Sequence, residues 1–176
     1  MANDYLFGYT NRIMAEIIAY LMADKNFCNF VYYTDTKYDY EDLTQLEIPS
    51  SSKLYDKYFF VYRRVPEVIE TVGAYVYFDI YRDIPMKLGS SIRTLTFTVT
   101  ILIHHDCIRT LHGHRGMCIK DALEIALSNL SEGNTIGNIE LSRVSPVLGL
   151  VKDFTGYTLQ LKVDNFSPRF NRKYGE

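Results

Sequence analysis

The stretch SIRTLTFTVTILIHH, residues 91–105, decides the fold, because apolar and threonine side chains alternate along it. One set of alternate positions is apolar: Leu95, Phe97, Val99, Ile101 and Ile103. The positions between them carry threonine from Thr94 to Thr100. A repeat of two residues is the period of a β-strand with one face in a hydrophobic core. The threonine face is either exposed to solvent or lies along a seam with a second sheet edge or subunit.

A helix is predicted after this strand, because the apolar spacing changes to three and four residues beyond Gly116. Its apolar stripe consists of Ile119, Ala122, Leu123, Ala126, Leu127 and Leu130. The helix is expected to begin near Met117 and to stop at Gly133. Two more strands are predicted near residues 136–145 and 154–164, the second of which alternates apolar and polar side chains.

A strand is also predicted upstream, in AYVYFDIYR at residues 74–82. Val76, Phe78 and Ile80 fall on one face. The other face carries Tyr75, Tyr77, Asp79 and Tyr81. The chain therefore has at least four strands, and the turn-rich connections between them favour antiparallel pairing.

The N-terminal segment DYLFGYTNRIMAEIIAYLMADKN, residues 4–26, predicts one amphipathic helix. Its apolar stripe comprises Leu6, Tyr9, Ile13, Ile17, Tyr20 and Leu21, and Asn3 or Asp4 is suited to cap its start. Three further apolar residues, Met14, Ile18 and Met22, widen this stripe. The helix packs either on its own sheet alone or also against a neighbouring subunit.

Residues 34–57 are polar, contain Pro49 and the serines at 50–52, and have no sustained apolar period. They predict a long loop or arm, which either contacts another subunit or is a mobile insertion. The last ten residues, 167–176, are predicted to be a C-terminal tail. Because this end of the chain interleaves aromatic and basic residues, the tail either drapes over a neighbouring subunit, is mobile, or binds single-stranded nucleic acid.

These elements predict a single α+β domain over residues 1–166. Its mainly antiparallel sheet has four or more strands and is packed by two helices, with the long insertion loop at 34–57. Both helices should cover one face of the sheet. That face carries Phe78, Phe97, Val99 and Leu161.

Composition narrows the classes of function. The 176 residues are 47% hydrophobic and 23% charged with a net charge of −2, which predicts a folded chain without a broad basic surface for nucleic acid. Fifteen tyrosines and ten phenylalanines favour protein interaction over chemistry. Three cysteines and the lack of a signal peptide or an apolar run of 18 or more residues indicate a protein made in a reducing compartment, without a membrane partner.

The window ILIHHDCIRTLHGHRGMC, residues 101–118, contains every histidine and two of the three cysteines. These candidate ligands are His104, His105, His112, His114, Cys107 and Cys118. His104 and His105 are adjacent at the end of a strand, so their side chains should leave opposite faces and cannot easily share a metal ion. We therefore predict a polar strand-to-helix connector with no catalytic, cofactor-binding or metal-binding residues.

Other chemistry finds little support in the sequence. Ten residues separate Cys107 from Cys118, a spacing that matches no zinc motif, and the dipeptide His105-Asp106 is the only hint of a nucleophilic site. Phosphate-binding, dinucleotide-binding and metalloprotease motifs do not occur. We predict that the protein is not an enzyme. The alternative is a small metal- or ligand-binding protein that uses residues 104–118, or an adaptor module.

The order of elements resembles the tail-terminator, or tail-completion, proteins of long-tailed bacteriophages and the related head-to-tail neck proteins. An amphipathic helix precedes a long insertion, then come the strand TLTFTVTILIHH, the helix CIKDALEIALSNL and the closing strand GYTLQLKVDNF. The resemblance covers most of the chain. Residues 34–57 and the tail after Ser167 depart from the family's outline.

The resemblance implies a structural virion protein, assembled in the host cytoplasm, that forms a ring at the head-proximal end of the tail. The ring would be a hexamer that terminates the tail tube and joins it to the head connector. Its partners would be copies of itself, the tail tube protein and the head-to-tail connector proteins. DNA would pass through the lumen without specific binding, and no cofactor is implied.

Overall fold

The structure is a computed structural model that describes residues 9–34, 43, 45–60, 72–85, 93–110, 113–133, 138–147 and 152–166. The helices with described bounds are α1 (Tyr9–Ala23), α2 (Lys25–Tyr32), α3 (Ser51–Leu54) and α4 (Arg115–Gly133). The strands are β1 (Phe59–Phe60), β2 (Ala74–Pro85), β3 (Arg93–His104), β4 (Arg109–Thr110), β5 (Gly113–His114), β6 (Asn138–Val147) and β7 (Phe154–Phe166). The predicted start of the first helix, which includes Leu6 and a cap at Asn3 or Asp4, lies outside these ranges. The predicted tail at 167–176 does so too.

Five strands form the main sheet in the order β1-β2-β3-β7-β6. All neighbours pair antiparallel except β1 and β2, which are parallel. Because β7 lies between β3 and β6, helix α4 carries the chain over one strand before β7 returns to fill the gap. The predicted α+β class and its mainly antiparallel sheet are confirmed.

The helices pack on one face of this sheet, and together they enclose the hydrophobic core. Phe78, Phe97, Val99 and Leu161 lie in that core, as predicted. The α4 stripe is also confirmed, since Ile119, Ala122, Leu123, Ala126, Leu127 and Leu130 are all buried. Met14 and Ile18 of α1 pack into the same core, so they widen its contact with the chain's own sheet.

The prediction of one helix through residue 26 was wrong, because the chain breaks at Asp24 and starts a second helix. The Asp24 carboxylate accepts a hydrogen bond from the Phe27 N–H at 2.8 Å, which caps the first turn of α2. Helix α2 buries Phe27, Cys28, Phe30 and Val31, so three helices cover the sheet where two were expected. Tyr20, assigned to the buried stripe, is instead 36% exposed.

The insertion at 34–57 is partly packed where the structure describes it. Leu43 and Leu54 are fully buried in the main core, and α3 forms one short turn of helix around Leu54. The Asn29 amide of α2 donates hydrogen bonds to the carbonyl oxygens of Leu43 at 2.7 Å and Leu46 at 3.1 Å. These contacts hold the described part of the insertion against the domain.

We call the sheet face opposite the helices the outer face. Four threonines of β3 lie on it half-buried: Thr94, Thr96, Thr98 and Thr100. Hydroxyl groups meet across the strands, since the Thr100 Oγ1 and Thr158 Oγ1 atoms are 3.2 Å apart. Thr94 Oγ1 donates to Asp164 Oδ1 at 2.7 Å. The described threonine face is therefore a half-buried surface with its own cross-strand hydrogen bonds.

One end of the outer face is buried, which the alternation of strand β2 did not reveal. A second apolar cluster consists of Phe60, Tyr75, Tyr77, Leu102, Val147 and Phe154. The ring of Tyr77 stacks on that of Phe60 with centroids 5.2 Å apart. Tyr75 and Tyr77 are each only 4% exposed, so they are core residues of the outer face. The side chains of Ile80 and Tyr81 lie outside the described part of the chain.

Candidate functional site

The window at 101–118 folds as a connector between β3 and α4. Strand β3 ends at His104, a single 3-10 turn spans His105–Cys107, and the short hairpin of β4 and β5 leads into the helix. Helix α4 begins at Arg115, two residues before the predicted start at Met117. Each histidine that the structure describes here lies against a different local partner.

His104 packs on the outer face. Its ring meets that of Phe154 edge to face, with centroids 5.0 Å apart. The His104 Nδ1 atom accepts a hydrogen bond from the Asp106 N–H at 3.2 Å and lies 3.5 Å from Asp106 Oδ2. His105 is exposed, and its N–H donates to the Asp153 carbonyl. His104 therefore closes the 3-10 turn, and the adjacent pair does not form a joint site.

His114 caps helix α4. The His114 Nδ1 atom accepts a hydrogen bond from the Gly116 N–H at 3.1 Å, one of the amides that the first turn of a helix leaves without an intrahelical partner. The ring also meets that of Tyr157 with centroids 5.8 Å apart. A side-chain acceptor directly before a helix has the role that Ser, Asp or Asn usually performs.

The cysteines of the window are protonated thiols. Burial raises the pKa of Cys107, whose Sγ donates to the Gly73 and His104 carbonyls at 3.4 Å each. Burial also raises the pKa of Cys118. In α2, burial together with the Asp24 carboxylate raises the pKa of Cys28 to about 12. Since metal binding and nucleophilic attack both require the thiolate, these surroundings oppose both kinds of chemistry.

The candidate ligands that the structure describes do not converge. Within the residues that the structure describes, no three His, Cys, Asp or Glu side chains are placed to hold a metal ion. His112 lies outside those residues. No helix among them is long and apolar enough to cross a membrane. The geometry of the window is that of a packed connector.

Arg115 is the centre of this connector and is completely buried. Its Nε donates to the Cys107 carbonyl at 2.8 Å, inside the connector itself. Its Nη1 donates to the carbonyls of Phe30 at 3.1 Å and Tyr33 at 2.8 Å, and its Nη2 donates to that of Thr34 at 3.3 Å. One guanidinium therefore joins the connector to the last turn of α2 and to the first residue of the insertion.

The electrostatics of this contact suit arginine. The last carbonyls of a helix have no intrahelical donor and carry the negative end of the helix dipole, so they attract a cation. Burial lowers the pKa of Arg115, while the nearby Cys107 and Cys118 thiols act in the opposite direction. The guanidinium still remains charged, because its ordinary pKa is so high. Its planar fork of donors allows it to bind carbonyls on two separate elements at once.

The sequence contains a pattern that predicts the burial of Arg115, although the charge of this residue argues for exposure. Ile119 opens the buried stripe of α4, and Arg115 lies one turn earlier on the same face. Extending the stripe backward by four residues would have placed a buried arginine at the helix start. Polar residues in a turn-rich stretch instead suggested a solvated connector.

Replacing His114 tests whether it is a cap. We expect His114→Ala to lower the free energy of unfolding by about 1 kcal/mol, because the Gly116 N–H loses its acceptor. His114→Asn should stay within about 0.3 kcal/mol of the original protein, because the Asn oxygen accepts the same bond. Urea unfolding measures both variants. Equal losses for Ala and Asn would show that the imidazole itself is required.

The fold and the connector together define a small α+β domain whose buried polar groups serve packing. The chain belongs to the YomW family, whose family model matches residues 24–163. This is a phage-associated family. The match runs from the cap of α2 to the end of the core-facing part of β7. A search of the curated proteins finds no match to the chain.

Proposed function

We propose that the protein is a structural virion protein, without enzymatic activity, that forms a ring at the head-proximal end of a phage tail. The ring terminates the tail tube and joins it to the head connector. Membership of a phage-associated family supports a phage role. The order of elements that resembles tail-terminator proteins supports the finer assignment.

The observation that carries this proposal is the chemistry of the outer face. The described helices pack on the opposite face, so none of them covers the outer face, which is the face that we assign to the lumen. Away from the aromatic end, its uncharged side chains are mainly hydroxyl and amide groups: Thr94, Thr96, Thr98, Thr100, Asn138, Ser145, Thr158 and Gln160. Hydroxyl and amide groups carry no cation to pair with phosphates, so these side chains do not hold a passing polyanion.

The described charges on the outer face are nearly balanced. Among the side chains that the structure describes, Asp79, Glu140 and Asp164 are acidic, and Arg143 and Lys162 are basic. Lys162 is also neutralised within the sheet, since its Nζ lies 2.6 Å from Asp164 Oδ2. Because affinity for DNA depends on the number of free cations that meet phosphates, such a surface lets DNA slide past.

Imaging the purified protein by negative-stain electron microscopy tests the proposal. We expect rings with a central hole, because heterologous contacts between identical copies close into rings. Adding the protein to growing tail tubes of the same phage should also fix their length. Uniform small particles the size of one 20.4 kDa chain, together with tubes that elongate unchanged, would contradict the proposal.

A further inference from the structure

We propose that copies of this chain join head to tail through the two edges of the main sheet, with Arg143 of one copy paired to Asp79 of the next. The partner is thus a second copy of the chain. This inference rests on the proposed ring and identifies the surface that builds it. The contact brings the β6 edge of one copy beside the β2 edge of its neighbour.

The two charges lie at opposite ends of one row across the outer face. Register pairs Arg143 of β6 with Gln160 of β7, Gln160 with Thr98 of β3, and Thr98 with Asp79 of β2. Directly paired residues of antiparallel strands share a face, so the whole row lies on the outer face. A cation therefore stands at one edge of the sheet and an anion stands at the other edge, at the same height.

Within one copy these charges cannot meet. Three strand spacings of roughly 4.8 Å separate β6 from β2, which sets the ends of the row about 14 Å apart. An ion pair needs about 4 Å between nitrogen and oxygen. The side chains of Arg143 and Asp79 are both exposed, and neither side chain makes an ion pair or hydrogen bond within the described part of the chain. A neighbouring copy supplies the missing partner to each.

The strand directions also fit this arrangement. Since β2, β3, β7 and β6 alternate in direction, the two edges of the sheet run antiparallel to each other. Rotating a copy about an axis along the strands preserves these directions, so the β6 edge meets the neighbour's β2 edge antiparallel. The contact uses different surfaces of the two copies, and such a contact closes into a ring when the rotation allows.

The β2 residue at the end of the row is exposed. Within the described residues, β1 pairs with β2 at Val76 and Tyr77. Asp79 lies two residues beyond Tyr77, past these described pairs, and its side chain is exposed. The anion at this end of the row is therefore accessible to another molecule.

The β6 edge is built for side-chain contact rather than for adding a strand. Pro146 has no N–H to donate, and the register of β6 shifts between Leu141 and Arg143. The Ile139 N–H is already bonded to Ser131 Oγ of α4 at 3.2 Å. Such features keep an edge from unlimited strand pairing, so the rim charges can select the partner. Val144, 41% exposed on the helix side of the same strand, adds an apolar contact.

Charge reversal tests this contact. Arg143→Asp alone or Asp79→Arg alone places like charges together, and each should raise the protein concentration at half-assembly about tenfold or more. The double variant, Arg143→Asp with Asp79→Arg, restores the attraction and should assemble near the original concentration. Arg109→Asp in β4 is the matched control, because it reverses an exposed charge in the connector that follows the central strand β3. Sedimentation velocity measures all four variants.

The outcomes separate this inference from the proposed function. Loss in both single variants with recovery in the double variant supports the edge contact. If the original protein forms rings and the single reversals leave assembly unchanged, the edge contact is overturned while the ring stands. If the double variant fails to recover, the edge contact is likewise overturned. An original protein that is monomeric at every concentration overturns both. Unchanged thermal unfolding of each variant shows that any loss lies in assembly.

Discussion

Replacing Arg115 by alanine is expected to lower the free energy of unfolding by about 4 kcal/mol. The change leaves the carbonyls of Phe30, Tyr33, Thr34 and Cys107 without the donor that joins them, and it opens a cavity at the start of α4. A loss of this size is a large fraction of the stability of a single domain. Chemical unfolding, followed by circular dichroism, measures it.

Two further variants define what Arg115 contributes. Arg115→Lys keeps the charge but has a single ammonium that cannot bind both elements, so it should still lose about 2 kcal/mol. Arg109→Ala, at an exposed position in the same connector, should change stability by less than about 0.5 kcal/mol. If Arg115→Ala were as mild as Arg109→Ala, the connector would not depend on the buried guanidinium.

Gly156→Ala is expected to lower the free energy of unfolding by about 3 kcal/mol. A Cβ atom at this position of β7 would overlap the Ile101 carbonyl oxygen. Main-chain atoms in the middle of a sheet cannot move aside as a flexible side chain can, so β3 and β7 would have to separate locally. Thermal unfolding of the variant measures the cost.

Ser145→Ala on the neighbouring strand is the control for this prediction. Ser145 is half-buried on the outer face, and its replacement should change stability by less than about 0.5 kcal/mol. A Gly156→Ala protein as stable as the Ser145→Ala protein would mean that β7 does not approach Ile101 as closely as the structure has it.

The sequence predicted a helix or strand correctly where one hydrophobic period continues over many residues. The alternation from Thr94 to Ile103 and the α4 stripe from Ile119 to Leu130 are each set by burial on a single face, which periodicity reports directly. The break at Asp24 was missed because the apolar residues of α2 follow those of α1 almost without interruption. Only the capping hydrogen bond to Phe27 reveals that the helix restarts.

The burial of other residues could not be predicted from the local sequence pattern, because contacts with residues distant in the sequence cause it. Tyr75 and Tyr77 alternate with the core residues of β2 as exposed residues would, yet aromatic neighbours from β1 and β7 bury them. The local sequence around Arg115 is typical of a solvent-exposed residue. Only the fold brings it to the carbonyls of Phe30, Tyr33 and Thr34, more than eighty positions away. Distant contacts also hold two of the described candidate ligands, since His104 packs on Phe154 and Cys107 donates to the Gly73 carbonyl.

Native mass spectrometry of the purified protein tests the central claim, that this chain is a ring-forming structural subunit, most directly. We predict a closed oligomer, with a mass of about six 20.4 kDa chains and no bound metal. The oligomer should remain intact on dilution, down to the concentration at which whole rings dissociate. A stable monomer of 20.4 kDa carrying stoichiometric zinc would contradict the claim and return the function to the histidine window.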